Sequence, residues 1–374
     1  MSKPLKVGLV GTGGISRAHL PVYLEHPDRV RLTACCDIIE PAAQAFAKNA
    51  GIDNGAVYTD LDDLLKNADI DAVDICTGHA QHAEQSIAAA QAGKHVLVEK
   101  IMGNTGDECR AMIDAADKSG VTLMVAQMVR FSPESAAVKK FIDAGELGDI
   151  QACRTHVIMQ GPKKSWMNDA ELGGGVLMLN TVHHVDLLRY FVGNVKRIFG
   201  VRRSVQPQME NGAEDLCAAT MEFENGVIGD VFASWTAWQT PEHASYMMLG
   251  SKATIHSTQP ETGEQAGSHF GPIKYAVKSA EKDADHAAIR TLGLEPGEQI
   301  KKLLNPAFDT FDTSDNAGLP SENAFVNQTL HFEECIRTGA EPISSGRDNI
   351  ETVKIILGIL ESSRTGKPVD LADL

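Results

Sequence analysis

The sequence predicts an α/β protein in which a doubly wound parallel sheet is followed by an α+β domain with a mostly antiparallel sheet. Three observations carry this expectation. Up to about residue 130, continuously apolar runs alternate with amphipathic or Ala-rich stretches. A glycine-rich turn joins the first run to the first stretch. Beyond residue 130, strand-like runs follow one another, with Asn225-Gly226 as a hairpin signal between two of them. With 374 residues, two domains are expected, at 1–128 and 129–374, the C-terminal helices being free to pack back on the first.

In order, strands are expected at 5–10, 30–36, 72–76, 95–98 and 121–126, with helices at 15–25, 40–50, 60–67, 80–92 and 105–119 between them. Unbroken apolar strands are what a parallel sheet needs when helices cover both its faces. A helix at 133–144 ends at Gly145, and strands follow at 150–160, 196–205, 215–224, 227–238, 244–250 and 252–256. Between the first two of these lie Gly173-Gly174-Gly175 and an apolar helical stretch to about Phe191. Residues 257–320, rich in Gly, Pro and charge, read as an excursion with short helices. Helices at 322–338 and 347–364 close the chain, with Gly339 and Gly366 at the C-cap positions.

Composition narrows the partners. The 34 basic and 50 acidic residues leave a formal charge of −16, which repels phosphate backbones, so no nucleic acid is expected. No window reaches the roughly 18 apolar residues of a membrane span, and the run Val7 to Val10 leads into glycines as a first strand would. The seven cysteines are odd in number and irregularly spaced, without a Cys-x-x-Cys pair. They read as core thiols of a reducing compartment, the cytoplasm, and not as zinc ligands or disulfides.

Gly11-Thr12-Gly13-Gly14-Ile15-Ser16 sits between a predicted strand and a predicted helix. A dinucleotide-binding turn needs a tight bend at the first Gly, bare backbone at the second, and a small third residue where helix and strand pack; Ser16 fills that last role. The helix N-terminus then offers free N–H groups to a pyrophosphate. Asp37 stands 26 positions after Gly11, at the end of the second strand. A carboxylate there accepts from ribose hydroxyls and repels a 2′-phosphate, and Ile38-Ile39 bring no arginine, so NAD is expected over NADP.

Beyond these features the chain resembles, over nearly its whole length, the glucose–fructose oxidoreductase / inositol dehydrogenase / MocA-like family. The residues that carry the resemblance are the glycine turn with Arg17-Ala18-His19, Thr77-Gly78-His79-Ala80-Gln81-His82, and His95-Val96-Leu97-Val98-Glu99-Lys100. To these it adds Gly173-Gly174-Gly175 with His183 and Asp186. The resemblance implies a Rossmann domain, a second domain whose sheet has an open face that often mediates oligomerisation, and hence a homo-oligomer, dimer or tetramer. It implies NAD held by the glycine turn with Thr77, His79, His82, Glu99 and Lys100, and substrates that are secondary alcohols of sugars, glycosides or cyclitols and their ketones. Two positions depart from the family pattern. Ile101 replaces a proline after the lysine, and Leu179 replaces an aspartate four residues before His183.

Moving a hydride off a carbinol carbon also requires taking the hydroxyl proton, a task for a positioned base. Lys100, at the C-terminal end of a central strand, is the first candidate, since a desolvated lysine gives up its proton near neutral pH; the alternative is that it only pairs with Glu99 or anchors the cofactor, and the family resemblance favours the catalytic role. His183 is the second, with Asp186 either orienting its ring or anchoring the helix. Candidates for holding a polyol are Arg130, His156, Trp166, Asn180 and His184, and more weakly Gln127, Gln160 and Lys163. On a regular helix Asn180 points about 100° away from Leu179. No metal is expected, because His243, His256 and His269 have no ligand spacing. Two rival functions remain open: redox-neutral NAD-dependent cleavage of a glycosidic bond, and a regulator that binds NAD without turnover.

Overall fold

The computed structural model describes residues 3–53, 56–163, 165–238, 244–257, 273–277 and 309–374. Most of the 257–320 excursion therefore lies outside the described residues.

The first sheet is built from β1 (Leu5–Val10), β2 (Val30–Cys36), β3 (Val57–Tyr58), β4 (Ala72–Ile75), β5 (His95–Glu99) and β6 (Leu123–Ala126). Its order is β3-β2-β1-β4-β5-β6, every pairing parallel. Order reverses between β1 and β4, which opens the crevice where such sheets take ligands. Helices α1 (Ser16–Glu25), α2 (Glu40–Ala50), α3 (Leu61–Asn67), α4 (His82–Gln91) and α5 (Gly106–Ser119) connect the strands. The central strands are buried on both faces: every residue of β4 and β6 is buried, as are consecutive residues Val7–Val10 of β1 and Val96–Glu99 of β5. Local signals set the helix ends. Thr105 and Glu108 form a reciprocal capping box at the start of α5, and Gly120 closes it in the left-handed region at φ 66°. Strand β3 has only two residues, too few for a periodic signal, and the sequence reading missed it.

The second sheet comprises β7 (Ile150–Ile158), β8 (Val195–Arg203), β9 (Leu216–Phe223), β10 (Ile228–Ser234), β11 (Ala244–Gly250), β12 (Ala253–Ser257), β13 (Ile273–Val277), β14 (Asp309–Thr310) and β15 (Val369–Asp370). Its order is β14-β13-β12-β11-β7-β10-β9-β8-β15. Only β7 and β10 pair in parallel; the other pairings are antiparallel. The expected strand 227–238 ends early, at Ser234; beyond it an isolated bridge, Gln160 to Thr236, carries on, and the Thr236 N–H turns to Ser234 Oγ at 3.1 Å.

Helix α6 (Pro133–Asp143) leads from the first sheet to β7, and α7 (Val182–Val192) packs on the inner face of the second sheet. The two closing helices return toward the first sheet. α8 (Ala324–Thr338) joins α1 on one of its faces through Val326, Leu330 and Phe332. α9 (Gly346–Thr365) lies against both β8 and α5, so one continuous core spans the two sheets.

A buried ion network locks this junction. Arg130, in the turn after β6, grips Asp186 of α7 through Nε (2.7 Å) and Nη2 (2.6 Å), and its Nη1 reaches Asp348 of α9 at 2.7 Å. Thr352 Oγ1 donates to the same Asp186 at 2.7 Å.

Candidate active site

A cavity of about 390 Å³ lies between the C-terminal ends of the first sheet and the inner face of the second. Ile15, Glu99, Lys100 and Met128 approach it from the first sheet, and Phe325 from α8. Met159, Gln160, Pro162, Met167, Leu179, Asn180, His183 and Trp235 close the other side.

The glycine turn has the form the sequence required. Gly11 has φ +88°, and a Cβ there would fall 2.8 Å from Thr77 Cγ2 and 2.9 Å from the Cys76 backbone, so only glycine fits. Gly13 and Gly14 face open space, with nothing within 4 Å of an added Cβ. Ser16 is buried and donates from Oγ to the Gly13 carbonyl at 2.7 Å. Helix α1 begins without a side-chain cap and without an acidic residue in its first turn, so no side chain of its own competes with an anion at its N-terminus. Asp37 braces the turn, accepting from Thr12 N–H (2.8 Å) and Thr12 Oγ1 (2.9 Å) on one oxygen and from Ile39 N–H (2.9 Å) on the other. These bonds hold its carboxylate beside the glycine turn at the end of β2, half exposed. A bare phosphate cradle with a fixed carboxylate beyond it fits a dinucleotide.

Lys100 donates from Nζ to the Leu179 carbonyl at 2.9 Å. Burial lowers its pKa below the ordinary lysine value, against the opposing pull of Glu99. The peptide after it, Lys100–Ile101, is cis. The Leu179 carbonyl belongs to a wide π turn, Leu177–Thr181, that precedes α7. In the wider turn both Leu179 and Asn180 line the cavity, and Asn180 Oδ1 accepts from Trp235 Nε1 at 2.8 Å. His183 lies in the same cavity, almost fully buried.

The loop that starts this turn is fixed from below. Glu214 accepts from Leu177 N–H at 3.1 Å, and a Cβ on Gly175 would collide with its carboxylate. Burial pushes the Glu214 carboxyl up to about 7. The sequence reading did not single it out.

Several candidates stand elsewhere. Arg130 is a buried tie, its guanidinium spent on Asp186, Asp348 and the Ile343 carbonyl, and does not line the cavity. Asp186 is accordingly the anchor of α7. His184 meets Thr155 Oγ1 at 2.7 Å, on the side of α7 that faces β7. His156 lies on the outer face of the second sheet because side chains alternate along β7, and it bonds Ser245 Oγ at 3.2 Å. Trp166 stands edge-on to the His79 ring, with centroids 5.2 Å apart, and Lys163 is exposed. Thr77 donates to Gln85 at 2.6 Å.

The two loop histidines serve the backbone. His79 Nδ1 bonds the Gly173 carbonyl at 2.7 Å, joining the glycine triplet to the first sheet. His82 sits between the carbonyls of Ile101 (2.7 Å) and Thr77 (3.1 Å). Burial lowers the pKa of both. Gln127 is buried, and its amide finds no bonding partner among the described residues.

Met128, Met159, Met167, Trp235 and Phe325 are cavity residues that sequence reasoning missed. Each reads as an ordinary apolar residue, and only the meeting of distant segments distinguishes it.

Residues 5–127 match the model of an oxidoreductase family with an NAD-binding Rossmann fold, and residues 135–256 match the GFO/IDH/MocA C-terminal domain. A 1,5-anhydro-D-fructose reductase of Ensifer adhaerens is 35% identical over 332 residues, 87% of each chain. The chain belongs to the Gfo/Idh/MocA family. Members similar to it include the scyllo-inositol 2-dehydrogenase (NAD(+)) of Bacillus subtilis (strain 168), 26% identical over 99% of this chain and 97% of the relative. Among solved structures, a levoglucosan dehydrogenase in complex with NADH superposes with a TM-score of 0.83 over 99% of both chains at 24% identity, which establishes the shared fold. This Gfo/Idh/MocA chain is thus an NAD-dependent oxidoreductase, and its glycine turn lies within the NAD-binding Rossmann part of the family model.

Proposed function

We propose that the enzyme interconverts a secondary hydroxyl of a sugar, glycoside or cyclitol with the corresponding ketone. One observation carries the reading: a desolvated lysine amine, Lys100, and a buried histidine, His183, line one cavity beside the dinucleotide cradle. Gly11, Thr12, Gly13, Gly14, Ile15, Ser16 and Asp37 hold NAD, with Glu99 and Lys100 at its reactive end. Bound NAD supplies the hydride acceptor. Lys100 takes the hydroxyl proton as the carbonyl forms, and its bond to the Leu179 carbonyl aims the amine into the cavity. His183 donates to the reacting oxygen, while Asn180 and Gln160 hydrogen-bond the remaining hydroxyls. The names of the anhydro-sugar reductase and inositol dehydrogenase relatives support this substrate class.

The test is a panel of sugars, cyclitols and glycosides with NAD, followed at the nicotinamide absorbance. Lys100→Met should cut turnover about 10²–10⁴-fold with NADH binding intact. Product without net NADH would favour the redox-neutral rival, and full turnover by Lys100→Met would remove the lysine from the mechanism.

The division into domains at about residue 128, a cytoplasmic setting and a homo-oligomer complete the proposal. Seven free, buried cysteines support a reducing compartment. Phe199, Val201, Ile228, Phe232 and Leu249 stand exposed on the outer face of the second sheet, an apolar surface that suits a second copy of the chain. Light scattering should find dimers or tetramers; a particle of monomer mass at all micromolar concentrations would refute the assembly.

A further inference from the structure

Beneath the glycine turn lies a polar cluster the proposed reaction does not use. His19 of α1 is fully buried, with Nδ1 2.9 Å from Asp74 Oδ2 and Nε2 3.0 Å from Glu99 Oε1. Tyr23, one turn along α1, donates its hydroxyl to the same Asp74 oxygen at 2.7 Å. Cys76 Sγ lies 3.7 Å from the other Asp74 oxygen. On the far side, Lys100 N–H donates to Glu99 Oε2 at 3.1 Å. The Phe325 ring, which lines the cavity, packs against the imidazole with centroids 5.2 Å apart.

The hydrogen bonds determine the charge state. A neutral imidazole has one N–H, so its second nitrogen would face a carboxylate lone pair with no proton between them. Both carboxylates also accept from other groups, Asp74 from Tyr23 and Glu99 from the Lys100 amide, so each acts as an acceptor on two sides. The proton therefore belongs to the ring, and His19 is an imidazolium. Burial opposes that charge, and Asp74 overcomes the penalty and holds His19 well above its ordinary pKa.

We infer that His19 is a positioning residue for the Lys100 centre: a cation clamped between Asp74 and Glu99 that fixes the Glu99 carboxylate beneath the cavity and offsets its charge. Glu99 lines the cavity and is next to Lys100 in sequence, and its negative charge favours the ammonium form of the lysine. In a desolvated site such an effect is poorly screened. Left unopposed, Glu99 would hold the proton on Lys100 and blunt it as a base. The titratable groups around His19 are Asp74, Glu99, Tyr23 and Cys76. Those around Lys100 are Glu99, His79, His82 and, across the cavity, His183. Burial lowers the pKa of His79 and His82, and His19 is the cation that touches the Glu99 carboxylate directly.

The inference rests on the reading of Lys100 as the proton-transfer group, and its test needs no substrate. Trace acetylation of the full chain with acetic anhydride, read at Lys100 by mass spectrometry against pH, follows the lysine titration. His19→Gln should raise the Lys100 midpoint by about one pKa unit, and adding Glu99→Gln should reverse the rise. His19→Asn is the second variant should Gln disturb folding. In the wild type, C2-hydrogen exchange read by mass spectrometry should place the His19 midpoint above the ordinary imidazole value of about 6.5. An unmoved Lys100 midpoint in folded His19→Gln, or a wild-type His19 midpoint at or below the ordinary value, overturns the inference. Failure of the catalytic reading shows separately, as turnover retained by Lys100→Met.

Discussion

Two buried cations, each held between two carboxylates, flank the cleft, and they differ in what holds the charge. On one side Arg130 grips Asp186 and Asp348. On the other His19 sits between Asp74 and Glu99. A guanidinium keeps its proton at any working pH, and Asp186 and Asp348, against the cost of burial, raise its pKa further still. It suits a scaffold, and its partners come from α7 and α9, the elements that fix the second domain against the first. An imidazolium can be discharged, and its partner Glu99 reaches the cavity wall. The same electrostatic motif therefore serves assembly at one site and, by our inference, the reacting lysine at the other.

The largest expected effect tests the scaffold half. Arg130→Met leaves Asp186 buried without its cation and should cost about 3–5 kcal/mol, read by urea unfolding. A cost below about 1 kcal/mol, within the range of exposed pairs, would end the distinction between the two clusters.

A buried carboxylate outside both clusters sharpens the comparison because its cation is distant: Arg202 comes only to 3.7 Å of Glu214. With its carboxyl at about 7 in the fold, above the ordinary glutamate value, Glu214 binds more proton folded than unfolded. Its stabilising contribution is full below the unfolded pKa, about 4.3, and is lost as pH rises through about 7. Glu214→Gln keeps the carbonyl that accepts from Leu177 and should be more stable than wild type above that pH, by about 2 kcal/mol. Thermal unfolding across pH decides it, and parallel curves for the two proteins would contradict the assignment.

The smallest effect concerns Asp37, a half-buried carboxylate with hydrogen bonds and no cation among them. Asp37→Ala should narrow the preference for NAD over NADP about tenfold, roughly 1.4 kcal/mol. Comparison of kcat/KM with the two cofactors measures it, and a wild-type enzyme equally efficient with NADP would contradict the role given to this residue.

Local chemistry made part of the site legible. Gly11 and Ser16 are required by their own turn, and Lys100 is visible because the end of a central parallel strand opens into the cleft wherever such a sheet forms. Arg130 shows where this reasoning stops. The sequence placed it near the domain junction, and its backbone is there, but a long side chain beside two distant carboxylates turns to them instead of to the cavity. His156 failed by one step of strand parity, and nothing in the sequence marks the wide turn that brings Leu179 and Asn180 to the cavity together.

By itself the sequence determined the doubly wound first sheet, the glycine turn and the position of the lysine at the end of β5. Each follows from interactions within a few residues or from a short period of apolar side chains. Only the tertiary structure decided that Trp235 and Phe325 close the cavity, that Asp186 belongs to Arg130, and that His19 is shared by Asp74 and Glu99. Those partners lie tens to hundreds of residues apart in the chain. What pairs them is the cost of burying a charge or polar group without a complement, and that cost arises only once the sheets have packed.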